Sequence, residues 1–218
     1  MEEKRVTLFC GHYGSGKTNL AVNYALSLAA RGLPVTLADI DIVNPYFRSK
    51  DSEAELTAQG VEVISLPFAN SNVDLPSLPS AVYGLVERRD RYAVLDVGGD
   101  DRGAYALGRF SPYILRENDF DMLNVANFYR PLTRTAEEAL DVMREISAVC
   151  AVPFTGIVNN SNLGAETTKT DVEATFGEAR RLCALSGLPL KYTSAALPLA
   201  DAFAPGAVFP MKLQKKII

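Results

Sequence analysis

The chain of 218 residues has no tryptophan, a single histidine and only three cysteines. Cys10, Cys150 and Cys183 are an odd number and include no CxxC pair, so neither a disulfide framework nor a zinc site made of local thiolates is indicated; they are expected as small buried hydrophobes. Long apolar runs are also absent. None approaches the length of a bilayer span, and the apolar core of MEEKRVTLFCGHYG is too short for a signal peptide, so a cytoplasmic protein is expected. Neither charge sign dominates: 22 Lys and Arg stand against 26 Asp and Glu, a net charge of −4. Apart from a short C-terminal cluster the basic residues are scattered, which argues against an extended nucleic-acid-binding face. There is no internal repeat and no low-complexity tract.

What is present is the balance of a globular protein, 48% hydrophobic and 22% charged, enough to bury a sizeable core. No linker is evident, so residues 1–218 are expected to form a single nucleotide-binding domain. Val6 to Cys10 reads as a strand ended by glycine, and Thr18 to Arg31 as an Ala- and Leu-rich helix closed by Gly32. PVTLAD, Val61–Leu66, Tyr92–Asp96, Phe120–Phe128, Phe154–Val158 and Tyr192–Ala196 are further strand candidates. Helices are expected at Ala81–Arg89, at Thr135–Ala148 with a Thr135/Glu138 capping box, and at Asp171–Leu185. Pro45 and the polar run RSKDSEAE end whatever follows the second strand. NSNVDLPSLPS reads as a loop of the kind that lies over a ligand site. Strands alternating with helices predict an α/β fold: a doubly wound, mostly parallel sheet with helices on both faces, whose ligands gather at the carboxyl ends of the strands.

The strongest local signal is GHYGSGKT, Gly11 to Thr18. It satisfies G-x-x-x-x-G-K-[ST] and sits between a strand and a helix, as its mechanism requires. Gly11, Gly14 and Gly16 let backbone N–H groups of the loop, including those of His12, Tyr13 and Ser15, turn toward phosphate oxygens. The helix that follows, through Asn19, presents its unpaired amides to the same anion. Lys17 is expected to reach the β- and γ-phosphates and to act in catalysis, and Thr18 to place its hydroxyl on Mg²⁺.

Two acidic stretches complete the pattern. YAVLD ends in Asp96 and continues to Gly99, a D-x-x-G arrangement: Asp96 is the candidate magnesium-side carboxylate, and Gly99 offers an N–H to a γ-phosphate. GGDDRGA then reads as a flexible switch, with Asp100 and Asp101 as solvated charges in the plainer reading. In ADIDIVNPYF, Asp39 and Asp41 are two apart and share a side if the chain stays extended. One would hold a magnesium-bound water while the other orients the attacking water.

With GHYGSGKT, ADIDIVNPYF and LDVGGD in that order, the chain resembles the MinD/ParA-like branch of P-loop NTPases, the SIMIBI class. The resemblance covers nearly the whole chain by element order. It implies ATP and Mg²⁺ as cofactors, a slow hydrolase that acts as a nucleotide switch on a protein partner, and alternation between monomer and nucleotide-bound homodimer. On the same ground Lys17 and Thr18 match the phosphate and magnesium residues, Asp39 a magnesium-side carboxylate, Asp41 the water-activating one and Asp96 the Walker B position. Asn159 or Asn160, in FTGIVNNSN, matches the asparagine that recognises adenine. An amide can donate and accept together, as adenine requires. NNSN lacks the acid of the guanine-binding N-K-x-D, which favours ATP over GTP.

The sequence departs from the family at His12, where the family's deviant loop carries a lysine that reaches across the dimer, and at Tyr13, which replaces a glycine. A histidine is shorter and mostly neutral at pH 7. Arg48, Arg102 and Arg109 are candidate replacements for that charge, and nothing in the sequence selects one. The tail MKLQKKII is a weak candidate for membrane contact, too short to bind strongly alone, with a terminal strand as the favoured reading. The sequence leaves two other functions open: a small-molecule kinase or ATP-dependent ligase, with the Asn70–Pro79 loop over the acceptor, and a non-catalytic nucleotide-binding adaptor in metallocofactor assembly.

Overall fold

The computed structural model of the chain describes residues 3–40, 53–65, 80–98 and 101–213. Eight strands form one sheet: β1 (Val6–Cys10), β2 (Val35–Asp39), β3 (Val61–Ser65), β4 (Tyr92–Asp96), β5 (Phe120–Ala126), β6 (Gly156–Asn159), β7 (Leu190–Ala196) and β8 (Phe209–Met211). Their order is β3-β2-β4-β1-β5-β6-β7-β8, and every pairing is parallel. The chain builds outward from β1 to β3, returns to insert β4 beside β1, then continues on the other side through β5. The carboxyl end of β1 therefore lies where the winding reverses, the crevice in which such sheets bind ligands.

Alternation along the strands divides the core in two. On β1, Val6, Leu8 and Cys10 join one apolar cluster, together with Leu95, Met122 and Ile157 of neighbouring strands. Phe9 joins the other, with Leu37, Val94, Val125 and Val158. Because both faces are covered, the central strands read as continuous apolar runs. The second cluster is closed by α1 (Lys17–Ala29) through Leu20, Ala21, Ala25 and Leu28, and by Leu56 of α2 (Glu53–Ala58). The first lies under α3 (Ser80–Glu87), α4 (Asp101–Glu117), α5 (Ala136–Cys150) and α7 (Phe176–Ser186).

Several boundaries differ from the sequence expectation by one or two residues, as helix and strand ends do. Larger differences have identifiable causes. The segment expected as one helix from Asp171 is two, α6 (Lys169–Ala174) and α7, and it starts earlier because Thr168 and Asp171 form a capping box. The break falls at Thr175, whose buried hydroxyl donates to the Val172 carbonyl and accepts from Asn159. α2 and a short α8 (Leu197–Ala200) were not expected, and the terminal strand expected in MKLQKKII lies earlier, as β8, sharing only Met211 with that segment.

α4 was not expected either. From Asp101 onward the GGDDRGA stretch is helical, whereas Gly99 and Asp100 lie outside the described residues. Two glycines and Pro112 in one helix contradict propensity. Pro112 lacks the N–H that would bond the Gly108 carbonyl, and the Ser111 hydroxyl donates to that carbonyl instead at 2.8 Å. Gly108 allows close packing, since a Cβ there would lie 3.1 Å from the Val149 carbonyl oxygen of α5. The start of β1 is tied to the same side of the fold by Arg5, which bonds Glu117 at 2.6 Å and the carbonyls of Val86 and Arg88 near the end of α3.

At the other edge, Tyr192 and Phe209 stack with ring centroids 5.0 Å apart. Asn23 of α1 exchanges two hydrogen bonds with the Lys212 backbone, which anchors β8. Met211 thus begins the tail as strand and not as helix, and residues 214–218 lie outside the described residues. Among the described residues no helix is long and apolar enough to cross a membrane. The three cysteines are free, Cys10 and Cys150 buried and Cys183 partly so.

Candidate functional site

The loop Gly11–Gly16 joins β1 to α1 at the switch point. Gly11 takes φ 149° and lies against β5, where a Cβ would stand 2.5 Å from the Val125 carbonyl oxygen. Gly14 and Gly16 take φ 75° and 88°, left-handed values that favour glycine. The Ser15 amide closes the turn onto the His12 carbonyl at 3.2 Å. Gly16 caps α1 without any side-chain bond, and the first turn of the helix holds no acidic residue. The helix end therefore keeps its amides and partial positive charge for an anion from outside.

Lys17 is 94% buried yet lies over the loop, its Nζ 3.4 Å from the His12 carbonyl oxygen. Thr18 donates its hydroxyl to Oδ2 of Asp96 at 2.5 Å. Asp96 and Asp39 end adjacent parallel strands and are register partners, so two buried carboxylates stand side by side beneath the loop. This is a hard-oxygen set of the kind Mg²⁺ prefers. The Ser15 hydroxyl is buried with no hydrogen-bond partner among the described residues. A helix end without a cap, glycines where a side chain would collide, and paired oxygen donors all fit a magnesium–nucleotide ligand. Among the described residues no group of three or more His, Cys, Asp or Glu side chains forms a metal cluster. Asp41, Gly99, Arg48 and the Asn70–Pro79 loop lie outside the described residues, and so do the side chains of Arg102 and Arg109.

Below the loop, burial pushes the Cys10 thiol up to about 12; Lys17 opposes that shift, and Cys150 and Asp96 add to it. The thiol is thus a packed neutral group. Around the loop, the outcome for the remaining predicted residues is specific. His12 bonds its own neighbour, Nδ1 lying 3.0 Å from the Tyr13 carbonyl oxygen. Tyr13 is 66% exposed. Asn19 sits in the first turn of α1, where its carbonyl accepts from Asn23 at 2.7 Å.

Asn159 is fully buried: its amide donates to Thr175 at 2.9 Å, and its Oδ1 accepts from the Ser161 hydroxyl at 2.7 Å. Asn160 donates to the Ser15 carbonyl at 2.6 Å and accepts from the Ser194 hydroxyl at 2.6 Å. It thereby ties β6 and β7 to the phosphate loop. Holding the Ser15 carbonyl also orients the N–H of Gly16, which shares its planar trans peptide and points the opposite way.

Two residues at this end were missed in the sequence. Asn127, fully buried after β5, accepts from the amides of Tyr129 and Asn162 and joins the β5–α5 loop to the β6 loop. Arg130 reaches the phosphate loop, its Nε donating to the Gly14 carbonyl at 3.1 Å. The available signal was position: both follow a buried parallel strand at its carboxyl end, where ligands gather.

No protein-family model matches the chain, and the comparison with curated proteins finds no match. Solved structures do match, and they define the class as a doubly wound α/β P-loop fold. FtsY from Mycoplasma mycoides is 19% identical with a TM-score of 0.59, over 89% of this chain and 61% of that one. The cell division protein FtsY from Thermotoga maritima is 20% identical with a TM-score of 0.60, over 89% and 62%. The signal recognition particle 54 kDa protein from Aeropyrum pernix, in complex with GDP, is 16% identical with a TM-score of 0.59, over 88% and 41%. The chain thus spans 41% to 62% of the length of these three structures. At such identities the likeness is one of fold.

Proposed function

We propose that the chain is a Mg²⁺-dependent nucleotide switch of the MinD/ParA-like kind, a slow ATPase whose bound nucleotide governs association with a protein partner. The observation that carries this reading is the Thr18–Asp96 pair under an uncapped helix end that has no acid in its first turn. In the proposal, Lys17 and the loop amides bind the phosphates, while Thr18, Asp39 and Asp96 hold the metal side. Asp41 positions water, and Gly99 meets the γ-phosphate. When bound, Mg²⁺ supplies charge neutralisation between phosphate oxygens. Asn159 or Asn160 is the candidate for the base side, and Asn160 sets the loop through Ser15.

The preference for ATP rests on the sequence Asn159–Asn162, which offers no carboxylate to guanine. A partner surface is supported by three exposed apolar residues on the loops at this end: Tyr13, Leu132 and Leu163. The reading also includes a nucleotide-dependent homodimer and a cytoplasmic setting.

The test is titration of ATP and of GTP with and without Mg²⁺, together with phosphate release, for wild type, Lys17→Ala and Asp41→Asn. Tight binding unchanged in Lys17→Ala sinks the assignment of the loop. Wild-type hydrolysis in Asp41→Asn removes the role given to Asp41. Stronger binding of GTP reverses the base preference, and an unchanged solution mass with ATP removes the homodimer.

A further inference from the structure

Arg130 is an exposed arginine in the β5–α5 loop, and it is held against the phosphate loop. Besides the Nε bond to Gly14, its Nε and Cδ lie 3.6 and 3.7 Å from the point where a Gly14 Cβ would stand. The Arg130 side chain thus runs alongside Gly14 at van der Waals distance. A guanidinium carries five N–H donors in a fixed fork, and the Gly14 bond uses only the one on Nε. Among the described residues no ion pair to a carboxylate is formed by Arg130, whereas Arg5, Arg31, Arg88, Arg89, Arg91, Arg144 and Arg181 each have at least one.

Its backbone is fixed by bonds to groups outside the phosphate loop. The Arg130 amide donates to the Asn127 carbonyl at 3.1 Å, and the Thr133 hydroxyl donates to the same carbonyl at 2.8 Å. Phe128 donates its amide to Ser161 at 3.0 Å, and the Tyr129 hydroxyl donates to the Asp171 carbonyl at 2.8 Å. The loop is thus bonded to the β6 loop and to α6, which presents Arg130 in place before any ligand arrives. Preorganisation of this kind lowers the entropic cost of binding.

The phosphate loop itself supplies one fixed cation, Lys17, and the His12 ring is bonded to its own loop at Tyr13. We propose that Arg130 is the second phosphate-binding cation of this site, contacting the nucleotide's polyphosphate from the β5–α5 loop. The proposal rests on the nucleotide-binding reading of Gly11–Thr18. A planar fork suits phosphate oxygens, and charge-assisted bonds to them are stronger than neutral ones.

The test uses the full chain and fluorescent N-methylanthraniloyl-ATP and -ADP with Mg²⁺, titrated into wild type, Arg130→Ala, Arg130→Lys and Lys17→Ala at several salt concentrations. Thermal melts confirm that each variant is folded. Arg130→Ala is expected to weaken binding roughly 10- to 100-fold and to flatten its salt dependence. Arg130→Lys, which keeps the charge and loses the fork, is expected to recover about a tenth or more of the lost affinity and most of the salt dependence. If Lys17→Ala weakens binding while Arg130→Ala stays within about twofold of wild type, the proposal is overturned and the loop assignment stands. Equal losses in Arg130→Ala and Arg130→Lys with wild-type salt dependence also overturn it, because Arg130 then only stiffens Gly14. Binding unchanged in Lys17→Ala instead defeats the loop assignment on which the proposal depends.

Discussion

Thr18 and Asp96, 78 residues apart in the chain, meet at 2.5 Å through a hydroxyl donated to a buried carboxylate. The first turn of α1 and the end of β4 are thereby joined directly beneath the phosphate loop. Thr18→Ala removes that donor and an oxygen assigned to Mg²⁺. Nucleotide affinity measured with Mg²⁺ is expected to fall about 10-fold or more, with little change when the metal is chelated. Equal losses with and without Mg²⁺ would place Thr18 outside the metal's reach.

Gly11 is the loop glycine that lies against backbone. A Cβ would stand 2.5 Å from a backbone oxygen of β5, and φ at 149° disfavours any side chain. Since β1 and β5 are central strands, neither can move aside cheaply. Gly11→Ala is expected to cost about 3 kcal/mol or more of stability, from strain and overpacking together. Urea denaturation reads this directly; a loss below about 1 kcal/mol would mean that the loop yields.

Much of this architecture was legible in local pattern. β1, the phosphate loop and α1 combine three signals within 24 residues, Val6 to Ala29: an apolar run, glycines at fixed spacing and an Ala-rich helix. The Thr135 capping box was legible for the same reason. α4 was hidden because its glycine and proline serve tertiary needs, the close approach to Val149 and the Ser111 replacement bond, which propensity does not register. Asn127 and Arg130 were hidden because their meaning lies in contacts with loops 35 and 116 residues away. The motif located the site, but the polar bonds that hold its loops together are non-local.

Asn160 is one of those bonds. Asn160→Ala leaves the Ser15 carbonyl without its buried donor and removes the acceptor used by Ser194. A stability loss of about 1–3 kcal/mol is expected. Because the side chain acts on the loop through Ser15, ATP and GTP affinities should fall by similar factors. A selective loss of ATP binding would show instead that Asn160 discriminates the base. Parallel titrations of the two nucleotides separate these outcomes.

Cys10 gives the fold a dependence on alkaline pH. Burial raises its thiol from 9.0 to about 12, against the opposing charge of Lys17. In the unfolded chain the thiol ionises near the lower value, while the folded chain keeps the proton. The folded state therefore binds more protons between those values. Its stabilising contribution is complete below about pH 9 and is lost as pH rises toward about 12, with a slope approaching 1.4 kcal/mol per pH unit. Burial also raises Cys150, Tyr24 and Tyr192, so the wild-type slope alone does not isolate Cys10. Comparison with Cys10→Ala does. The variant is expected to be less stable by about 1 kcal/mol near pH 8, from lost packing, and to close that gap by about pH 10.5 because it has no thiol to ionise. Urea denaturation of both proteins at the two pH values checks this, and a gap that stays constant would show that the thiol ionises as readily in the fold as outside it.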